Sequence, residues 1–231
     1  MMTFPQRARL QGMGMGFLAG YVDTLGFIAL FGLFTAHVTG NFVLIGVALA
    51  DMSRASILLK FLAFPAFVAG VAAARLLIAS CERRGRPTVK PVLLLQVALL
   101  SGFMAFGWLA APIGADVTPY AMTAGLLGTA AMGAHSAASR LLLTHLAPTS
   151  MMTGNVTQLV IDFVDVLRGA HTGATLERCG KFFWPVLAFG VGATAAAFAY
   201  LAIGFTALLV PIAILCIEMA LPEATPPVAA K

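Results

Sequence analysis

Long apolar stretches separated by short polar steps run along the whole 231-residue sequence. A stretch crosses a bilayer as a helix when it has about 20 residues, because the hydrocarbon core is roughly 30 Å thick and each residue adds about 1.5 Å. Six stretches meet this length, and no stretch alternates like a barrel strand, so we predict an all-α fold. The predicted spans are residues 10–34, 57–79, 92–111, 119–143, 182–200 and 203–221.

Two further apolar stretches, about residues 38–50 and 153–167, are too short to cross as helices. We predict that each is a re-entrant half-helix, which enters the membrane and leaves on the same side. Both contain the same three residues at their start, Thr39-Gly40-Asn41 in the first and Thr153-Gly154-Asn155 in the second. The repetition predicts that the chain is built twice from one unit.

The residues after each motif agree with a duplication. The first motif is followed by a span that contains Pro65 and Gly70, and the second by a span that contains Pro185 and Gly190, at the same interval. The repeat boundaries predict a first unit at 1–113 and a second unit at 114–222, together one membrane domain. A tail at 223–231, rich in proline and alanine, is predicted to be disordered.

Composition agrees with a polytopic membrane protein, because 60% of the residues are hydrophobic, 10% are charged and the mean hydropathy is +0.95. The net charge of +5 does not indicate nucleic-acid binding, since the charges cluster at the ends of the predicted spans. Three scattered cysteines and four histidines give neither a disulfide framework nor a metal-site spacing. We therefore expect no metal and no cofactor.

Lysine and arginine placement favours six spans over eight. With six spans and the N-terminus inside, twelve of the 14 cations lie on the cytoplasmic side, and Arg54 and Lys60 lie outside. Eight full crossings would divide them eight to six, which the positive-inside rule disfavours. Six spans place both termini in the cytoplasm and make the two units inverted relative to each other. Inverted repeats with broken helices form binding sites near the membrane midplane.

The candidate site follows from this arrangement. Asp23 lies within the first span, where a carboxylate needs a partner, a proton or water. Thr and Asn are good helix N-caps, and two half-helix ends that enter from opposite faces would suit an anion or a polar solute. The alternative is that each motif only caps its own helix, and that the two histidines only pack. The candidate solute-binding residues are Asp23, His37, Thr39, Gly40, Asn41, His135, Thr153, Gly154 and Asn155.

Other features have simpler interpretations. Gly12, Gly16 and Gly20 form a stripe that predicts close helix packing within the chain, with a homodimer through the stripe as the alternative. Asp162 and Asp165 share one helix face and are expected to be a solvated cytoplasmic face. His135 and Ser136 lack a nucleophile elbow and a third catalytic member, so we expect no enzymatic activity.

Several motifs resemble those of a known family. They are Gly20-Tyr21-Val22-Asp23, the run from Thr35 to Asn41, Met132-Gly133, and the run from Met151 to Asn155. With these motifs, spread over nearly the whole chain, the sequence resembles the YoaK-like family of bacterial multi-pass membrane proteins. The resemblance implies a bacterial inner-membrane location and about six spans. It implies no activity, because the family is known as a domain of unknown function.

The sequence favours a transporter or channel for a small polar or anionic solute, bound at the midplane between the repeats. The alternative is a scaffold, or an assembly or signalling partner, that transports nothing. The expected partners are the lipid bilayer and a small-molecule or ion substrate, with no nucleic acid.

Overall fold

A computed structural model describes residues 4–50, 56–170 and 172–221. In these ranges the chain is helical, with eight α-helices, one 3₁₀-helix and no strand. The helices are α1 (Phe4–Ala29), α2 (Gly40–Ala50), α3 (Ile57–Arg83), α4 (Val89–Ala110), α5 (Pro119–Leu141), α6 (Met152–Leu167), α7 (Gly173–Ile203), the 3₁₀-helix Gly204–Leu208 and α8 (Leu209–Ala220). The predicted all-α class is therefore confirmed, while the predicted tail at 223–231 lies outside the described residues.

Four helical segments among the described residues are long and apolar enough to cross a membrane. They are Gln6–Ala29, Ile57–Arg83, Val89–Ala110 and Gly173–Ala220. The last has 48 residues and contains both predicted C-terminal spans. Helix α5 is outside this set, and it is rich in glycine, alanine and serine rather than in large apolar residues. Those small side chains let α5 pack in the centre of the bundle, where many of its residues are buried.

Contacts along the helices show that α1 and α7 run parallel. Near the start of α1, the position of Gly12 faces Pro185, and two turns later that of Gly20 faces Phe189. Helices α3 and α5 run parallel in the same way, since the Gly125 position faces Leu59 and the Gly70 position faces Ala130 further along both.

Two other helices run opposite to the helices they contact. In α4, Phe103 packs on Gly128, and Gln96, earlier in the chain, bonds His135, later in the chain, so α4 is antiparallel to α5. In α8, Ile214 lies near Gly14 of α1. The Tyr21 hydroxyl, further along α1, donates to a carbonyl in the preceding 3₁₀-helix, so α8 is antiparallel to α1.

The reversal between α7 and α8 occurs at Gly204, whose φ of 58° lies in the left-handed region that favours glycine.

Helix α1 is also antiparallel to α5, because Leu33, just after α1, faces Gly125 near the start of α5. At the other end Gly12 of α1 faces Leu146, just after α5. Helices α1, α4 and α7 therefore run one way, and α3, α5 and α8 run the other.

Glycines bring the parallel pairs into backbone contact. A Cβ added at Gly16 or Gly20 would lie within 3.0 Å of a backbone carbonyl of α7, and one added at Gly192 would meet the carbonyl of Phe17. The predicted packing of the stripe within the chain is therefore observed. Helix α7 of the same chain packs on this surface, and the alternative, a homodimer through Gly12, Gly16 and Gly20, stays a prediction.

The apolar core lies between these helices. Leu18 and Val22 of α1, Leu100 and Phe103 of α4, and Met132 of α5 are fully buried and belong to one cluster. The short helices α2 and α6 lie outside this core and pack on α3 and α7. Two loops, at residues 30–39 and 142–151, lead from the core helices α1 and α5 into the short helices.

Candidate functional site

Loop 30–39 folds back against α1, and Asp23 holds it there. The Asp23 carboxylate is buried, at 4% exposure, and accepts hydrogen bonds from the backbone N–H of Ala36 at 2.6 Å and of His37 at 3.4 Å. The hydroxyl of Thr35 donates to the same carboxylate oxygen at 3.4 Å. These donors are the partners that a buried carboxylate requires.

His37 completes this cluster from the loop. Its Nδ1 lies 2.7 Å from Oδ2 of Asp23, and its ring packs edge-on against Phe189 of α7. The His37 side chain is 38% exposed, whereas the carboxylate that it contacts is buried.

Asn41 fixes the start of α2 to the same loop. Its side chain accepts from the N–H of Phe34 at 3.0 Å and donates to the carbonyl of Phe34 at 2.8 Å. Asn41 is the second residue of α2, so it lies inside the first turn rather than at the N-cap position. The amide therefore closes a loop of seven residues, and both of its polar ends are used.

Asn155 makes the equivalent contact in the second unit. Its Nδ2 donates to the carbonyl of Pro148 at 2.8 Å, again seven residues earlier. Proline has no N–H, so the second hydrogen bond that Asn41 receives is unavailable here. Helix α6 starts at Met152, which places the second motif inside the helix instead of at its N-cap.

A second polar cluster holds loop 142–151 against α5. His135 is buried, with Nε2 at 2.8 Å from the Thr149 hydroxyl and Nδ1 at 3.2 Å from the Gln96 amide. The N–H of Thr149 also donates to the Ser139 hydroxyl at 3.1 Å. Oε1 of Gln96 has no hydrogen-bond partner among the described residues. This cluster contains no carboxylate, in contrast to the one around Asp23.

The two loops meet α1 at different depths. Loop 30–39 meets α1 at Asp23, and loop 142–151 meets it at Gly12, eleven residues earlier. At about 1.5 Å per helical residue, the loops are roughly 16 Å apart along the bundle. The core-facing residues between them, including Leu18 and Val22, are apolar and fully buried. In this conformation α1 therefore has a packed apolar face between its contacts with the two loops.

The predicted site residues therefore fall into several environments. Asp23 and His37 are joined directly, and His135 belongs to the other cluster. Asn41 and Asn155 each bond their own unit, and Gly40 lies against the Phe34 ring. The remaining three, Thr39, Thr153 and Gly154, are exposed on the surface of the chain. Solute binding by these residues stays a prediction.

One ion pair joins α6 to α7 outside the candidate site. Asp162 accepts two hydrogen bonds from Arg178, both at 2.8 Å, and a third from Gln158 at 2.9 Å. Arg178 covers the carboxylate but is itself 45% exposed, so the pair lies at the surface of the chain, where the sequence analysis expected Asp162. The pair links the two helices near the turn that joins them.

Lys60 is a second residue that the sequence analysis did not single out as functional. It is buried near the start of α3, and its ammonium donates to the carbonyl of Phe31 at 2.6 Å and to the Ser56 hydroxyl. Lys60 therefore fixes the start of loop 30–39, whereas Asp23 binds residues near its end. No metal-binding cluster of three or more His, Cys, Asp or Glu occurs in the part of the chain that the structure describes.

Comparison with known proteins gives a family and a relative. Residues 11–221 match the family described as "Protein of unknown function (DUF1275)". A relative, "UPF0700 transmembrane protein YoaK" of Bacillus subtilis (strain 168), is 26% identical over 144 residues. The alignment covers 62% of this chain and 62% of the relative. No solved structure matches the chain.

Proposed function

We propose that this chain, which belongs to the DUF1275 family of proteins of unknown function, is a transporter or channel for a small polar or anionic solute. The family match and the transmembrane relative identify a membrane protein of the UPF0700 type, which agrees with its apolar helices. The transport function is inferred from the arrangement of its polar clusters inside this apolar fold.

The proposed architecture has six crossings in two inverted repeats, with both termini in the cytoplasm of a bacterial inner membrane. The alternating directions of α1, α3, α4, α5, α7 and α8 support this topology. The first helix of each unit packs in parallel against the third helix of the other unit, α1 on α7 and α5 on α3. An approximate two-fold axis in the membrane plane would relate these crossed pairs.

The two asparagine contacts also support the duplication. Each asparagine donates at 2.8 Å to the carbonyl seven residues before it, and in both units that carbonyl lies in the loop leading into the short helix. Chance repetition of three residues would not reproduce this contact. In the proposed topology α2 and α6 are the re-entrant pieces, and their N-termini lie within the membrane.

The Asp23–His37 pair is the observation that carries the transport proposal. A carboxylate within a membrane helix is costly, and such residues typically mark substrate, ion or proton pathways. Here the carboxylate is buried, whereas its histidine partner is partly exposed. Protonation of this pair would change the bond between Asp23 and His37, and with it the position of loop 30–39. A coupled gate requires such a dependence of position on protonation.

Passage of a solute through the packed core requires a conformational change. The core side chains of α1, including Leu18 and Val22, are fully buried in this conformation. The proposed change moves one crossed pair relative to the other, since the glycine contacts make each pair a close-packed unit. Loops 30–39 and 142–151 would then open in turn.

The test begins with ligand-dependent thermal shifts of the purified protein across inorganic anions, organic acids and polar metabolites. Compounds that raise the melting temperature are then measured for uptake into proteoliposomes at several pH values. Asp23→Asn is expected to change the pH dependence of uptake, and Asp116→Asn, at an exposed loop carboxylate, is the matched control. Uptake with the same pH profile in the parent and Asp23→Asn would contradict the proposed role of the pair.

A non-transporting scaffold is the second candidate, favoured by the internal bonding of both asparagines. In that case Asn41→Ala and Asn155→Ala destabilise the protein without changing any ligand affinity. A complete panel in which no compound shifts the melting temperature and none is taken up would favour the scaffold over the transporter.

A further inference from the structure

A cavity of about 440 Å³ opens between α1, α7 and loop 142–151, at the end of the bundle that carries the N-terminus of α1. Most of its lining is apolar, with Ala8, Leu146, Leu176, Trp184 and Pro185 among the contributors. The cavity forms where α1 and α7 separate before they meet at the glycine contacts. It is distinct from both polar clusters described above.

Two cations line the same cavity. Arg9 comes from α1 and Lys181 from α7, and neither forms an ion pair with a described residue. The Arg9 guanidinium lies 5.7 Å from the centre of the Trp184 ring, a cation–π distance that orients it at the cavity. Glu177 is the one carboxylate in the lining. The positive charge of the two cations therefore exceeds the local negative charge.

His145 adds no positive charge to this excess. It lies in the loop between α5 and α6, and its pKa is lowered below the ordinary value by burial and then by the neighbouring Lys181. The imidazole is therefore mainly neutral at pH 7. One of its nitrogens lies 3.2 Å from Oε1 of Gln11 on α1, which links the loop to the cavity wall.

The depth of the cavity matches the headgroup region of a bilayer. Arg9 is the last cation before the apolar stretch of α1, and Lys181 is the last before that of α7. Trp184 lies one turn further along α7, and tryptophan is enriched at membrane interfaces. Basic pockets between transmembrane helices on the cytoplasmic side are suited to anionic lipid headgroups.

We propose that this cavity binds one anionic phospholipid, with its phosphate between Arg9 and Lys181 and its glycerol and acyl part on the apolar lining. A free phosphate ion would use the two cations and leave the apolar lining without a partner. A zwitterionic lipid would use the lining and gain less from the cations. The bound lipid would join α1, α7 and loop 142–151, so it stabilises this end of the bundle whether or not the protein transports a solute.

The test uses the two tryptophans of the chain. Trp108→Phe leaves Trp184 as the only indole, and phosphatidylglycerol with brominated acyl chains is titrated into the protein in detergent while its fluorescence is recorded. Quenching at substoichiometric lipid-to-detergent ratios is expected for phosphatidylglycerol and much less for phosphatidylcholine with the same brominated chains. Unlabelled phosphatidylglycerol should reverse the quenching, and inorganic phosphate should not.

Removing the cations separates a specific site from general attraction. If each cation near an anionic headgroup contributes about 1 kcal/mol, Arg9→Gln with Lys181→Gln lowers phosphatidylglycerol affinity roughly 30-fold. The control is Arg83→Gln with Arg168→Gln, which removes the same charge from exposed positions that do not line the cavity. Its affinity should stay within about twofold of the parent.

Three results would overturn the proposal. Equal quenching by both lipids would identify an ordinary annular contact, and reversal by inorganic phosphate would identify a site for a soluble anion. Equal losses in the two double variants would show diffuse electrostatic attraction. None of these measurements depends on solute uptake, so they fail or succeed independently of the proposed transport function.

Discussion

Two glycines of α7, Gly190 and Gly192, should respond in opposite ways to the same substitution. Both lie in the middle of a helix, where alanine is favoured over glycine by about 0.8–1 kcal/mol. Gly190 is exposed and has no atom within 4 Å of an added Cβ, so Gly190→Ala should stabilise the protein by roughly this amount.

At Gly192 the added methyl group would collide with α1. Its Cβ would lie 2.9 Å from the carbonyl carbon and 3.0 Å from the Cα atom of Phe17, and closer still to the carbonyl oxygen. Cβ atoms in proteins essentially never approach other atoms as closely as this carbonyl carbon and oxygen. Overpacking of this kind costs about 1–3 kcal/mol, and a backbone carbonyl in the middle of a helix cannot rotate away as a side chain can. Setting this cost against the helix gain, we expect Gly192→Ala to be destabilising by up to about 2 kcal/mol.

The two variants should therefore differ by about 1–3 kcal/mol, with Gly192→Ala the less stable. The measurement is reversible unfolding in mixed micelles with increasing SDS, followed by tryptophan fluorescence and by circular dichroism. Gly70→Ala, which meets the carbonyl of Ala130 in the other parallel pair, should behave like Gly192→Ala. If Gly192→Ala is as stable as Gly190→Ala, the close approach of α1 and α7 is wrong.

The remaining predictions concern topology, the loops and pH. In a cysteine-free background, single cysteines at Ala115 and Arg84 should be labelled from opposite sides of the membrane, and labelling of both from one side would end the six-span topology. Asn41→Ala should lower stability more than Asn155→Ala, since it removes two backbone hydrogen bonds of about 0.5–1.5 kcal/mol each, whereas Asn155→Ala removes one together with a long contact to the Met152 sulfur; equal losses by SDS unfolding would contradict this. The contact between His37 and the Asp23 carboxylate involves two ionisable groups, so the stability difference between the parent and His37→Ala should depend on pH. A difference that stays constant across the pH range would refute this role of the contact.

The sequence could predict the helices because their signal is local. Apolar length identified the long helices, and the shortness of the stretch at 38–50 identified α2. The proline-containing helices after each motif are also observed, as α3 and α7. The glycine stripe of α1 was readable as a packing surface, but the sequence did not say that α7 covers it.

The contacts of the candidate site were harder to predict because they depend on how the loops fold back. The motif residue types suggested N-caps, whereas Asn41 and Asn155 lie within the first turn and bond a carbonyl seven residues away. Asp23 was recognisable as needing partners, but its donors come from backbone N–H groups that no residue type specifies. The Asp162–Arg178 pair depends on the turn between α6 and α7.

Because of Pro148, the hydrogen bonding between the loop and the short helix is weaker in the second unit than in the first. A protein made of two identical inverted halves looks the same from either side of the membrane, so its inward-open and outward-open forms would have equal energy. In this chain, loop 30–39 is held to α2 by both polar ends of an amide, and loop 142–151 is held to α6 by one. If the halves are inverted, the missing N–H is one of the differences that remove this degeneracy, and it favours release of the second loop by about 0.5–1.5 kcal/mol. The proline would then bias the resting orientation of the molecule toward one side of the membrane.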